Sequence, residues 1–301
     1  MFLQGQRVST SVLVSELFVY PIKSCAGVAV HEAVLTETGL DLDRAWMVVD
    51  SQGEFISQRD YPRLALVQPQ IKPSDLVLRA PGMMALHLQI DTVEKPVRVR
   101  VWDDEVAAYD MGDVAAQWFT DFLSMTEAGL PGSGEKFRLV RFDPEHQRHS
   151  DQAWTQGHES LNAFSDGFPV LVSSEATLAD INTRLASAGR AAVTWARFRP
   201  NIVLSGLDAY GEDDIDVLGI DTEPGPAQLK LVKPCPRCSI PNINPQTAIA
   251  SPEVNALLEG YRRNPKLNGA VALGVNALVL SGIDTVVRVG QTVRLNDVFG
   301  D

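Results

Sequence analysis

Cysteine is scarce in this sequence, with only three among 301 residues. Cys235 and Cys238 stand in one segment and Cys25 lies far upstream, so the three cannot make a disulfide framework. Proteins without such a framework are typical of reducing compartments. The cysteine content therefore disfavours a disulfide-stabilised secreted domain.

Positive charge is also in short supply, because 26 Lys and Arg stand against 38 Asp and Glu and the net charge is −12. Nucleic-acid binders neutralise phosphates with a basic surface, and proteins that dock on anionic lipid need basic clusters. Residues 1–14 contain no long apolar run flanked by positive charge, so we expect no secretory signal and no membrane span there. These absences predict a soluble cytoplasmic protein with neither nucleic acid nor membrane as a partner.

What is present describes an ordinary globular chain, with 45% apolar and 21% charged residues. A length of 301 residues favours two domains. Closely spaced short strands between residues 13 and 109 predict a small antiparallel sheet or barrel. The breaker-rich segment 129–134 is the best linker, so we predict domains at 1–130 and 135–301. The fold class is mostly β with about three helices (α+β), in two β-rich domains.

The segment from Lys233 to Thr247 carries the most distinctive chemistry. Cys235 and Cys238 flank an arginine, and four prolines surround them. Proline fixes φ and lacks a backbone donor, so we expect a stiff loop that forms neither a helix nor a central strand. Thiolates bind metals and attack electrophiles, and a neighbouring guanidinium favours the thiolate.

Three interpretations of the cysteine pair remain open on residue types alone. A zinc site needs four Cys or His ligands, but Cys25 is distant and His146 and His149 are too closely spaced. A thioredoxin-like redox pair belongs at the N-terminus of a helix, and no helix can run through the prolines that follow Cys238. The third interpretation is two structural thiols.

Two further charged features lead to expectations. Arg199 precedes Pro200, which biases its backbone towards extended conformations, and its guanidinium fork suits a phosphate. The acidic run 212–216 is interpreted as a solvated face, with docking of a redox partner as the alternative. The histidines of the polar loop 143–158 are expected to be solvated.

Two motifs resemble those of a known family. The run from Lys233 to Ile240, followed by Asn244-Pro-Gln-Thr247, resembles the cofactor loop of the MOSC family, named after the C-terminal domain of molybdenum cofactor sulfurase. The run from Leu17 to Cys25 resembles the opening of that family's N-terminal domain. The similarity is greatest to the two-domain branch that contains the mitochondrial amidoxime-reducing component and its bacterial relatives. This branch commonly has Cys-Ser-Arg-Cys and a Thr-Thr pair, where this chain has Pro236 and Ser239-Ile-Pro-Asn.

The resemblance implies a C-terminal MOSC-type β-barrel that binds the molybdenum cofactor, Mo-molybdopterin. It implies that Cys238 ligates the metal and is catalytic, and that Asp166 handles protons or holds bound water near it. It assigns no contact to Arg59 and no role to Cys235. The cofactor-binding residues that it implies are Lys23, Ser24, Arg44, Arg199, Asn201, Arg237 and Cys238.

The activity that the resemblance implies is the reduction of N-hydroxylated compounds, from N–OH to N–H. Some bacterial relatives carry a ferredoxin module, and no cysteine follows Cys238 here. We therefore expect electrons from a separate protein of ferredoxin or haem type with its reductase. The alternative is a binding or carrier module for the cofactor, or for sulfur, without turnover.

Overall fold

The computed structural model of the protein describes residues 11–92, 95–124 and 134–297. All but the last residue of the predicted linker 129–134 therefore lies outside the described residues. The described chain is rich in strands, as expected. Its strands are β1 (Val12–Val19), β2 (Val28–Val30), β3 (Glu32–Thr36), β4 (Gly39–Leu40), β5 (Trp46–Val49), β6 (Gln68–Ile71), β7 (Asp75–Arg79), β8 (Leu86–Gln89), β9 (Lys95–Val101), β10 (Asp104–Asp110), β11 (Arg138–Phe142), β12 (Val170–Ser174), β13 (Ile202–Ser205), β14 (Ile215–Ile220), β15 (Ala227–Pro236), β16 (Ala272–Ser281), β17 (Val286–Arg288) and β18 (Thr292–Asp297).

Helices are few and short. The three predicted helices correspond to α1 (Gly112–Ser124), α3 (Glu175–Ser187) and α4 (Glu253–Glu259), and α2 (Gln152–Thr155) is a single turn in the polar loop. Ser174 caps α3 by accepting a hydrogen bond from the backbone N–H of Thr177. None of the helices in the described ranges is both long enough and apolar enough to cross a bilayer. Short 3-10 helices lie at Pro62–Leu66, Trp195–Arg197, Gly211–Asp214, Ile240–Asn242 and Pro265–Leu267.

Seven strands close into a barrel, in the order β13-β12-β16-β15-β14-β18-β1. The ring closes because β1 pairs antiparallel with β18 on one side and with β13 on the other. The pairing of β1 with β13 shifts register between Val14 and Glu16, which lets Val14 share the inner face with Leu17 and Val19. All three are at most 1% exposed within the barrel's core. The predicted β-barrel is thereby confirmed.

The three-stranded sheet β17-β3-β4 adds Leu35, Leu40 and Val287 to the barrel's core. Two other small sheets, β5-β11-β10-β9 and β6-β7-β8, enclose a second core beside the barrel. Helix α1 buries Trp118, Phe119 and Phe122 against this core. The division at 130/135 stays a prediction. The sheets do not follow this division. Strand β1 precedes residue 130 but belongs to the barrel, and β11 follows residue 135 but belongs to the four-stranded sheet.

Segment 233–247 is not the loop without a helix that we expected, but the prediction that it forms no central strand is confirmed. Strand β15 continues through Pro234 and Pro236, and residues 240–242 form a 3-10 helix. The prolines are tolerated because β14 pairs with β15 only at residues 227–230, which leaves one side of the proline-containing half unpaired. The pairing with β16 is also irregular beside both prolines. Such positions do not require a backbone donor.

The acidic run 212–216 is not the solvated face that we expected. Glu212 is fully buried, and burial raises the pKa of its carboxyl group. Asp213 and Asp216 form ion pairs with a neighbouring arginine and lysine. The run therefore stabilises the start of α3, through hydroxyl groups that donate to Glu212 from Ser173, Ser174 and Thr177.

Candidate functional site

One cavity of about 430 Å³ lies where loops of the barrel meet the four-stranded sheet. The turns beside β1 and β5, the loops before β12 and β13, and the segment after β15 each contribute to its wall. The structure brings every predicted site residue into this wall and leaves none elsewhere. Their roles toward a cofactor remain predictions. The residues concerned are Lys23, Ser24, Arg44, Asp166, Arg199, Asn201, Arg237 and Cys238.

The lining is strongly positive, although the whole chain carries a net charge of −12. Asp166 is the one carboxylate among the lining residues. Within the described residues, Arg59, Arg199 and Arg237 have no carboxylate partner in an ion pair. A concave, cation-lined site of this kind favours an anionic ligand. The six lining cations are Lys23, Arg44, Arg59, Arg199, Lys233 and Arg237.

Tyr20 holds two of these cations. Its buried ring lies 4.4 Å from the guanidinium carbon of Arg44 and 4.2 Å from that of Arg199. The Tyr20 hydroxyl donates to the carbonyl of Pro200 at 3.1 Å, which fixes the ring. Gly27 leaves room for it, because a Cβ there would lie 2.4 Å from Tyr20 Cε1. Cation–π contact thus keeps two like charges side by side.

Arg44 is anchored by hydrogen bonds as well as by this stacking. It donates to the buried carboxylate of Asp43, to Asn201 Oδ1 at 3.1 Å and to the carbonyl of Arg199 at 3.3 Å. Asn201, at 1% exposure, also accepts from the backbone of Leu171 at 3.1 Å. The geometry therefore gives Asn201 a positioning role for Arg44, and its direct contact with a cofactor stays a prediction.

Arg199 does not have the extended backbone that we expected before Pro200. Its φ is +62°, in the left-handed region. The reason is local, because Arg199 follows the 3-10 helix 195–197 and its N–H closes that turn on the carbonyl of Trp195 at 2.7 Å. The side chain donates to the carbonyl of Cys25 at 2.6 Å. Burial and the charge of Arg44 lower the pKa of Arg199 to about 10, which still leaves it charged at neutral pH.

Backbone strain is concentrated around the cavity. Four lining residues other than glycine have positive φ, namely +67° at Ser24, +50° at Arg44, +55° at Trp102 and +62° at Arg199. Such conformations are uncommon for residues with a side chain and are most unusual for bulky ones. They cluster at functional sites, where the surrounding structure maintains them. This clustering marks the cavity independently of sequence motifs.

The two cysteines of the cavity have different surroundings. Cys238 is exposed, and its sulfur accepts a weak hydrogen bond from the backbone N–H of Ile240 at 3.5 Å. The Arg237 guanidinium lies instead on Cys235, with Nη1 3.2 Å from that sulfur. Cys238 is therefore the thiol open to a ligand, and Cys235 is held by the arginine between them.

Arg237 also contains an unsatisfied polar atom. Its Nη2 donates to the carbonyl of Phe198 at 2.8 Å, while its buried Nε has no hydrogen-bond partner within the described part of the chain. Buried donors are nearly always paired, so this donor at the cavity wall is available to an acceptor group of a ligand.

The other interpretations of the cysteines gain little from the structure. No group of three or more His, Cys, Asp or Glu side chains among the described residues could hold a metal ion. Cys25 is fully buried, and burial raises the pKa of its thiol to about 12. A thiol of this kind is inert.

Lys23 and Asp166 form the ion pair of the site, with Nζ and Oδ1 2.5 Å apart. The Lys23 ammonium also donates to the carbonyl of Phe164 at 2.8 Å, and burial lowers its pKa. The Asp166 side chain is 72% exposed to the cavity. The surrounding cavity walls remove part of its solvation, which acts to raise the pKa of Asp166, but the charge and hydrogen bond of Lys23 outweigh this effect and hold the pKa below its usual range. The proton of the pair therefore resides on Lys23.

Trp102 and Arg148 belong to this site although no sequence motif predicted them, and the structure gives Arg59 a place that its motif did not. Trp102 Nε1 donates to Asp166 Oδ1 at 3.2 Å, and Arg59 stacks on the Trp102 ring with its guanidinium carbon 4.5 Å from the centroid. Arg148 is 5% exposed and donates to the carbonyl of Ser165 at 2.7 Å. Trp102 could have been noticed from the sequence, because it occupies a two-residue hairpin turn, where Asn or Gly is usual. Arg148 had no such signal, because it lies in a polar loop.

Comparison with known proteins assigns both halves of the chain. Residues 11–126 match the MOSC N-terminal beta barrel domain, and residues 159–294 match the MOSC domain. The chain is 38% identical to "Mitochondrial amidoxime reducing component 2" of Bos taurus, over 85% of this chain and 73% of the relative. It is 36% identical to "Mitochondrial amidoxime-reducing component 1" of Homo sapiens, over 96% of this chain and 84% of the relative. The chain therefore belongs to the two-domain MOSC family that includes the mitochondrial amidoxime-reducing components.

Proposed function

We propose that this protein is a molybdenum-cofactor-dependent reductase of N-hydroxylated compounds. The observation that carries the proposal is the cavity itself, whose described lining combines six cations and one carboxylate with the exposed thiol of Cys238. The chain's relatives are named for amidoxime reduction, and amidoximes are N-hydroxylated compounds. Electrons would come from a separate redox protein of ferredoxin or haem type.

The residues present fit such a cofactor. A molybdopterin carries a phosphate and a dithiolene, so it needs fixed cations and leaves the metal open to one thiolate of the protein. Arg199 and Arg237 supply unpaired guanidinium donors, including the buried orphan Nε of Arg237. Cys238 supplies a soft thiolate ligand, and the described residues offer no competing all-protein metal site. We assign the metal to Cys238 and the cofactor's polar groups to Lys23, Ser24, Arg44, Arg199 and Arg237.

Bound there, the cofactor supplies the two-electron reduction of the N–OH bond, which consumes two protons and yields N–H and water. The chain's own contribution begins with Tyr20, which keeps Arg44 and Arg199 in fixed positions before any ligand arrives. Preorganised charges of this kind need no reorganisation during the reaction. Phe55 and Trp102 form an apolar wall that limits water in the cavity.

Proton handling falls to the Lys23–Asp166 pair. Asp166 stays ionised at neutral pH, because its pKa is held low, so it acts as a hydrogen-bond acceptor rather than as an acid. Lys23 Nζ carries the proton, and burial lowers its pKa towards the range useful in catalysis. We propose that Lys23 donates towards the oxygen that leaves as water, with Asp166 orienting the ammonium group.

The test is metal analysis and turnover of protein made in a cofactor-competent host. We expect about one molybdenum and one pterin phosphate per chain, no reduction of benzamidoxime with NADH alone, and turnover with a strong artificial donor. Robust activity of the pure chain with NADH alone would refute the need for a separate electron carrier. Molybdenum-loaded protein that stays inactive with every donor would instead favour the carrier module. Zinc in place of molybdenum would refute both. Cytoplasmic localisation stays a prediction from composition.

A further inference from the structure

Arg59 is a cavity cation with two free terminal nitrogens, as far as the described residues show. Its Nε donates to Ser57 Oγ at 3.0 Å. Within the described residues, neither terminal nitrogen of Arg59 has a hydrogen bond or an ion pair. Arg44, Arg199 and Arg237 differ, because each donates to at least one backbone carbonyl through a terminal nitrogen. The two-nitrogen edge that binds carboxylates in a fork is therefore free on Arg59.

The Arg59 side chain is nevertheless held in place. Trp102 lies under its guanidinium group at 4.5 Å, and the ring of Phe55 is 5.9 Å away. Ser57 fixes the inner nitrogen, so only the outer edge remains available. A guanidinium that is ordered in this way loses less conformational entropy when it binds an anion.

The Trp102 ring on which Arg59 stacks is held by a backbone conformation that tryptophan rarely adopts. Trp102 has a φ of +55° in the two-residue turn between β9 and β10, where glycine, asparagine and aspartate dominate. It is 41% exposed, so core packing does not require its ring at this position. The indole donates to Asp166 on one side and carries Arg59 on its face. Arg59 therefore lies one indole ring away from the acid–base pair.

We propose that Arg59, oriented by Trp102, binds an anionic group of the substrate and selects N-hydroxylated compounds that carry one, such as a carboxylate. The inference rests on the proposed function. Arg44 and Arg199 are grouped around Tyr20, whereas Arg59 belongs to the cluster of Phe55, Trp102 and Asp166. Arg59 is thus separate from the pair of arginines on Tyr20. We assign that pair to the cofactor phosphate and Arg59 to the substrate.

The experiment compares benzamidoxime with 4-carboxybenzamidoxime, using loaded protein and an artificial donor. The wild type should have the higher kcat/KM for the carboxylate compound. In Arg59→Gln the ratio of the two kcat/KM values should fall about tenfold to a hundredfold, mainly through KM, as expected for a lost charge-assisted hydrogen bond. Arg59→Lys should lie between, because lysine keeps the charge and loses the fork. Arg294→Gln, which alters an exposed ion pair, should leave the ratio unchanged.

Two further measurements decide the remaining cases. If Arg59 binds the cofactor phosphate instead, Arg59→Gln will lose molybdenum and pterin phosphate, and both substrates will suffer equally. That result, or an unchanged ratio, overturns the inference. If the wild type reduces neither compound, the proposed function fails, and calorimetric binding of 4-carboxybenzamidine and benzamidine to loaded protein tests the subsite alone. Tighter binding of 4-carboxybenzamidine than of benzamidine by the wild type, with no such difference in Arg59→Gln, would support the subsite. Equal affinities of the wild type for the two compounds would overturn it.

Discussion

Replacing Arg148 with alanine removes the side chain that holds the loop 163–166, which contains Asp166. Arg148 donates to the carbonyls of Ala163 and Ser165 at 2.9 and 2.7 Å and to the carboxylate of Asp104 at 2.7 Å. Ala163 and Ser165 are at most 8% exposed, so their carbonyls lose their donor where little water can replace it. Each unsatisfied buried group costs about 1–3 kcal/mol. Asp104 adds little, because its side chain is 50% exposed and water solvates it.

The expected loss in the free energy of unfolding is therefore roughly 3–5 kcal/mol, which urea denaturation measures. At about 2 °C per kcal/mol for a chain of this size, the melting temperature should fall by roughly 6–10 °C. Arg100→Ala is the matched control. It breaks only an exposed pair with Glu54 and should cost less than about 1 kcal/mol. A loss below about 1 kcal/mol for Arg148→Ala would show that water or another side chain replaces the Arg148 side chain and would refute the reasoning.

Three further outcomes follow from the site and its surroundings. Cys238→Ala should abolish molybdenum binding, while Cys235→Ala should retain most of it, and equal metal loss in elemental analysis would contradict the assignment of a single ligand. Arg199→Ala should lower the pterin phosphate content more than Arg199→Lys, and wild-type content in both variants would make Arg199 a structural residue. Glu212 has a raised pKa in the folded state, so its contribution to stability is complete below its ordinary pKa of 4.5 and is lost as pH rises through the folded value. The unfolding free energy of the wild type minus that of Glu212→Gln should accordingly fall by about 1.4 kcal/mol per pH unit in that window, and a difference independent of pH would contradict the shift.

The sequence predicted which residues meet and was less successful in predicting how their backbones run. Motif order was enough to bring Lys23, Arg44, Arg199 and Cys238 into one wall, because the family's loops carry them at matching positions. The predicted extended backbone of Arg199 was wrong. The hydrogen bond that closes the preceding helical turn outweighs the conformational preference of a residue before proline. Such competition depends on where the turn ends, and sequence rules locate helix ends only to within a few residues.

Tertiary contacts explain the remaining differences. Glu212 looked solvated because its neighbours in sequence are acidic, yet three hydroxyl groups brought by another strand and helix bury it. Arg148 looked like one more polar loop residue, and only the fold shows the carbonyls that it satisfies. Both residues owe their roles to contacts distant along the chain, which composition and periodicity do not encode.

The pairing of β1 with β18 places a timing constraint on biosynthesis. Val12 faces Val293 across this seam. At the usual 5–20 residues per second, a ribosome delivers the second partner roughly 15–60 s after the first. Joining ends so far apart also costs about 5 kcal/mol in chain entropy. During that interval Val14 and Leu17, which the finished barrel buries, are available to other nascent chains. The ring therefore closes only after β18 has been made, and strand β1 has to be kept from aggregating until then.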